Sequence, residues 1–233
     1  MNFRDKFEKL FDKIDIGIWG IIGSGIVLIT MLITALGYLG RLSEPFSILN
    51  HFISELGEYG ISDIAIVFNL GLIIGGLAFL IFMVGLFQSM DNKIARVGGV
   101  LGIISAVACI GVGIFPMNIE TIIGHIITAL SFFLCGTLTV VVYTISILVD
   151  EEQRIPKSFS IVGIAVAAAF IGFIASIGIY IFGMEDIDLI DLLTVGFDRP
   201  EVWAVAILEW AAVLGIIGWV VLISAYQLVK RTL

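Results

Sequence analysis

The chain has 233 residues, 60% of them hydrophobic and only 14% charged, with a formal net charge of -8 and a mean hydropathy of +1.15. That balance excludes a water-soluble globular protein and points to an integral membrane protein. The 12 Lys and Arg form no basic patch large enough to engage nucleic acid, so no nucleic-acid partner is expected.

The opening stretch MNFRDKFEKLFDKID lacks a short apolar core followed by a small-residue cleavage pattern, so the helix after it reads as retained rather than as a signal peptide. Apolar runs then predict spans over residues 16–38, 64–88, 97–115, 119–149, 158–182 and 201–228. Each is long enough to cross a hydrocarbon core of roughly 30 Å, the third being the shortest and the fourth long enough to tilt. These runs far exceed strand length and lack polar alternation, and only helices satisfy their own backbone in lipid. The expected fold is all-α: a polytopic membrane protein, one six-helix transmembrane domain over residues 1–233.

An even number of spans puts both termini on one side. Arg4, Lys6, Lys9, Lys13, Lys93, Arg96, Arg154, Lys157, Lys230 and Arg231 fall on that side, and only Arg41 and Arg199 fall opposite. The positive-inside rule therefore predicts a cell-membrane protein with cytoplasmic N- and C-termini and with the 39–63, 116–118 and 183–200 connections outside.

The first outer connection is the most patterned. Ser43 is suited to cap a helix, Glu44 and Pro45 suit its first turn, and Tyr59-Gly60 suits its end. Phe46, Leu49, Phe52, Ile53 and Leu56 would then form an apolar side, with His51 and Glu55 four residues apart on another. Residues 43–58 are thus expected to be an interfacial helix across the outer mouth of the bundle.

Within the spans, small residues at Gly71 and Gly75, at Gly98 and Gly102, and along Ala168, Gly172 and Ser176 predict close helix packing, with oligomerisation through such faces as a further use. Cys109 and Cys135 fall at mismatched depths in neighbouring antiparallel spans, roughly 9 and 24 Å from the shared turn at about 1.5 Å per residue, which is beyond disulfide reach. Asn69, His125 and Glu209 all lie roughly 9–12 Å from the outer ends of their spans, and Asn118 sits at the turn before span four. Ionisable groups in hydrocarbon normally face the bundle interior or water, so His125 and Glu209 are expected to turn inward.

Together with His51 and Glu55 these residues would line one outward-facing polar cavity, walled by Asn69, Asn118 and Trp210. Two imidazoles and a carboxylate can hold a divalent ion such as zinc and leave a position for water. His51, His125 and Glu209 are the expected ligands, with Glu55 as the base that takes a proton from metal-bound water, the logic of a metal-dependent hydrolase. No HExxH or HxxxH spacing accompanies them. A second arrangement makes Ser54 a nucleophile with His125 or His51 as base and Glu55 or Glu209 as orienter. The expected ligand is a lipid headgroup or small amphiphile, with membrane lipids as the surrounding partners. A small cation- or proton-coupled transporter using His125 and Glu209, and a structural or sensing protein in which His51 pairs with Glu55, are the other classes.

The runs NHFISELGEYGISDIAIVFNLGLIIGG at 50–76 and GIFPMNIETIIGHIITALSFF at 113–133 resemble the DUF998 family of polytopic membrane proteins. The resemblance rests on Ser54 to Gly57, Phe68 to Gly71, Gly113 to Pro116, and His125, and extends to Gly196 to Arg199 before the last span. It departs at Asn118, where family members often carry an acidic residue, and at Pro200. It implies a six-helix fold and carries no activity. In general plan the chain is also similar to membrane hydrolases related to alkaline ceramidases, whose seventh span and paired histidines it lacks; that likeness is one of fold plan alone.

Overall fold

The structure is a computed structural model that describes residues 15–40, 43–89, 92–182 and 200–232. Six helices are long and apolar enough to span a membrane. They are α1 (Ile16–Leu36), α2 (Ala65–Ser89), α3 (Lys93–Ile114), α4 (Ile122–Val149), α5 (Phe159–Phe182) and α6 (Ala204–Thr232). The expected all-α polytopic fold is therefore observed, with span ends shifted by a few residues. Local chemistry explains one of the two largest shifts: Asn92 caps α3 by accepting the Ala95 N–H at 2.7 Å, so the helix starts four residues before the expected 97. Asp15 likewise accepts the Gly17 N–H at the start of α1.

Each helix packs on its chain neighbours, and α6 returns to pack on α1, so the six staves close into a ring. The α1 to α4 seams depend on glycine. A Cβ at Gly71 would meet Thr30, one at Gly75 would meet Val27, and one at Gly113 would meet the backbone carbonyl of Asn69. The Gly98 and Gly102 face is also used within the chain, against Tyr143 and Met83. Gly172 of the expected α5 stripe meets only Leu208, at an ordinary 3.4 Å. Lipid provides little hydrophobic drive between helices, so close backbone approach and dispersion hold such seams.

The outward faces are apolar: Leu32, Ile123, Ile161 and Ile179 are each at least 60% exposed, a surface suited to lipid rather than water. Thr34, Thr128, Thr137 and Thr139 return their hydroxyls to the carbonyl four residues earlier, which satisfies them within hydrocarbon. Both cysteines are free; Cys109 is buried, its Sγ 3.8 Å from the Leu72 carbonyl. The described basic side chains of Lys93, Arg96, Arg154, Lys157 and Lys230 gather at the end where α1 begins. Arg41, Arg199, residues 1–14 and almost all of the 183–200 connection lie outside the described residues.

The 43–58 segment corrects an expectation. It forms no sixteen-residue interfacial helix; only Ile53–Gly57 winds, as a five-residue 3₁₀ helix. Ser43 takes a left-handed backbone at φ 61°, which is no helix cap. Its second half, from His51 on, is also largely buried instead of lying on the surface: Leu56 and Glu55 have no exposure, His51 3% and Ile53 5%, whereas Ile48 and Leu49 are exposed. The reason is where its backbone bonds go. The Leu49 carbonyl accepts from Trp203 N–H at 2.7 Å, and the His51 carbonyl from Trp210 Nε1 at 3.1 Å. The Gly57 carbonyl accepts from Asn69 Nδ2 at 2.9 Å. An α-helix would turn these groups onto itself, whereas an open segment offers them to α2 and α6. We call residues 49–59 the cap.

Candidate functional site

Beneath the cap, along the ring axis, lies a cavity of about 130 Å³. Its wall runs on α4 from His125 to Thr139 and on α6 from Glu209 to Val220. At 1.5 Å per residue those runs are roughly 16–21 Å long. A volume that small over that length is a narrow channel. Its wall is mostly apolar, with Met31, Phe68, Leu72, Phe132 and Ile217 among its side chains, and no described side chain of α5 contributes to it. Of the polar lining residues, Ser105 and Thr139 donate to the Phe132 and Cys135 carbonyls. Phe82 lines it, and below it Leu86, Tyr143, Ile147 and Ile223 are completely buried at the opposite end of the ring.

The roof holds the polar chemistry. Ile53 and Ser54 of the cap, His125 of α4 and Glu209 of α6 meet there. With the observed helix starts, His125 lies about 5 Å and Glu209 about 8 Å into their helices at 1.5 Å per residue, shallower than the spans drawn from sequence. Two successive cap N–H groups are each held by a carboxylate: Phe52 N–H donates to Glu55 Oε1 at 2.7 Å, and Ile53 N–H to Glu209 Oε2 at 2.8 Å. Both bonds satisfy buried donors, and the second holds the cap against α6. Phe52 also packs against Trp203, with ring centroids 4.7 Å apart and the planes tilted by 56°.

Of the residues expected to converge, Ser54, His125 and Glu209 line the cavity, whereas His51, Glu55, Asn69, Asn118 and Trp210 do not. The expected metal set does not assemble, and among the described residues no three His, Cys, Asp or Glu side chains group closely enough to hold a metal ion. His51 is occupied outside the cavity. Its Nδ1 accepts from Ser47 N–H at 3.3 Å, leaving Nε2–H to donate to Glu44 Oε1 at 3.4 Å, and its ring packs against Tyr38 and Phe46. Its acidic partner is therefore Glu44 and not Glu55. Glu55 Oε2 accepts from the Tyr38 hydroxyl at 3.1 Å, so both of its oxygens are engaged in holding the cap.

The serine arrangement is incomplete as well. Ser54 Oγ sits 3.2 Å from Met117 Sδ, His125 Nδ1 lies 3.0 Å from the Phe115 carbonyl, and Glu209 bonds the cap backbone. No hydrogen bond joins the three. Asn69, Asn118 and Trp210 are cap anchors. Asn118 forms a reciprocal pair with Tyr59, accepting its N–H at 3.1 Å and donating to its carbonyl at 3.0 Å. A carboxylate at 118 accepts but cannot donate, which accounts for an amide there. Sequence reasoning missed Tyr38, Trp203, Met117 and Glu44; their spacing carried no signal, because each acts across elements far apart in the chain.

The quoted motifs meet at this roof. Asn69 of the second motif holds Gly57 of the first, Gly113 of the third packs on the Asn69 backbone, and the Phe115 carbonyl receives His125. No curated protein and no solved structure matches the chain. The model of a family described as a protein of unknown function, DUF998, matches residues 21–226, and the chain belongs to the DUF998 family.

Proposed function

We propose that this protein binds a single-chain amphiphile from the cell membrane, with its headgroup under the cap and its chain in the channel. The observation that supports this is the channel itself: narrow, apolar along its length, and with the side chains of Ser54, His125 and Glu209 gathered at one end. Binding sites of this kind pair an apolar wall with a few convergent polar groups. The gathering of Lys93, Arg96, Arg154, Lys157 and Lys230 at the opposite end supports cytoplasmic termini and a cap on the outer side. The reading is one of binding, and it assigns no turnover.

The test is thermal unfolding of the purified protein in nanodiscs doped with single-chain amphiphiles. At a hundredfold excess over Kd a ligand stabilises by about 2.7 kcal/mol, or roughly 5–11 °C for a domain of this size. Ala106→Phe or Ala129→Phe, each placing a ring in the channel, should remove the shift. A wild-type midpoint that no single-chain amphiphile moves would remove the proposal.

A further inference from the structure

The roof has a polarity, and it selects among headgroups. The Phe115 carbonyl oxygen can only accept a hydrogen bond, so His125 Nδ1, 3.0 Å away, carries the ring hydrogen. In the neutral ring this leaves Nε2 as an acceptor. Among the described residues Nε2 has no protein partner, although His125 is only 6% exposed and lines the cavity. Glu209 uses Oε2 for the Ile53 N–H, and its Oε1 has no protein partner among the described residues. The Ser54 hydroxyl lies against a thioether, a weak acceptor, which leaves the oxygen's lone pairs available. Among the described residues no Lys or Arg lines the channel.

We infer that the channel takes an amphiphile whose headgroup donates hydrogen bonds, a long-chain alcohol or primary amine, in preference to a fatty acid anion. This rests on the binding proposed above and adds its chemical class. An ammonium group has hydrogens for both His125 Nε2 and Glu209 Oε1, and a hydroxyl has one, which either acceptor can take. A carboxylate headgroup sets only acceptors against the His125 Nε2 acceptor, with no cation among the described lining residues to compensate. A phosphate headgroup meets the same obstacle.

The channel also provides its own reporter, because Trp219 lines its far end. Chains brominated at the ω carbon quench a tryptophan they reach. Wild-type protein in phosphatidylcholine nanodiscs should be titrated with ω-bromododecanol, ω-bromododecylamine and ω-bromododecanoate at matched bilayer mole fractions. Trp219→Phe protein supplies the background from the other tryptophans. The alcohol and amine should quench the Trp219 signal at mole fractions at least about fivefold below the carboxylate, a step of about 1 kcal/mol. His125→Leu should shrink that ratio while leaving quenching by ω-bromododecane unchanged. Equal quenching by all three headgroups, or strongest quenching by the carboxylate, overturns the headgroup assignment and leaves chain binding standing. Quenching by none overturns both. The comparison on wild-type protein decides the headgroup even if His125→Leu fails to fold.

Discussion

Replacing Glu209 by leucine tests whether one hydrogen bond holds the cap over the channel. Ile53 is 5% exposed and its N–H donates to Glu209 Oε2 at 2.8 Å, so removing the acceptor strands a buried donor. That costs about 1–3 kcal/mol, which multiplies the opening equilibrium of the cap about 5- to 150-fold. The Leu49, His51 and Gly57 carbonyls keep their partners on Trp203, Trp210 and Asn69, so the cap should stay docked in its ground state and open more often. Hydrogen exchange followed by mass spectrometry on a peptide covering 49–57 reads this ratio directly, with a peptide from 140–147 in α4 as the unmoved control. Glu209→Gln keeps an oxygen acceptor of the same reach and loses only the charge assistance, so its exchange should rise by less than about tenfold. If leucine leaves exchange at the wild-type rate, or if glutamine and leucine are indistinguishable, this bond does not secure the cap.

The ring's seams and buried hydroxyls make further predictions, each read as a thermal midpoint that moves about 2–4 °C per kcal/mol. Gly113→Ala puts a Cβ against the Asn69 backbone carbonyl, which cannot swing aside, and should destabilise by about 1–3 kcal/mol. Gly172→Ala, with Leu208 at an ordinary 3.4 Å, should be neutral or stabilise by up to about 1 kcal/mol; equal losses at both positions would show that close approach is not what separates the seams. Tyr143→Phe removes a completely buried hydroxyl that has no partner among the described residues, and should raise the midpoint by about 1 kcal/mol; a fall would reveal a partner for it. Asn118→Asp loses the donor half of its pair with Tyr59, an exposed contact, and should cost no more than about 1 kcal/mol.

Helix number and the course of each span were legible because they follow from apolar run length, which lipid enforces uniformly. The cap was not. Its 43–58 stretch has an acceptable helical pattern, yet Trp203, Trp210, Glu209 and Asn69 offer its backbone better partners than its own next turn does. Those competitors lie far along the chain, so no local window contains them. His125 and Glu209 were correctly expected to face inward, because an ionisable group facing hydrocarbon is costly. His51 was misjudged for the complementary reason: near the bundle end an imidazole finds partners nearby, and Ser47 and Glu44 supply them.

The channel's position follows from the same chemistry that closes the ring. Side chains at its level include Gly102, Ser105, Ala106, Ala129 and Gly136, too small to fill the axis once the α1 to α4 seams have brought the backbones together. A tight ring with small inward residues must leave space along its centre. Space along that centre leaves its lining short of dispersion contact, and an alkyl chain of the kind proposed would regain that contact before its headgroup makes any bond. A larger side chain at Ala106 or Ala129 would regain part of it permanently. The small wall residues therefore forgo packing that larger ones would gain while the cap bonds favour the folded chain, an opposition that the binding proposed above would require.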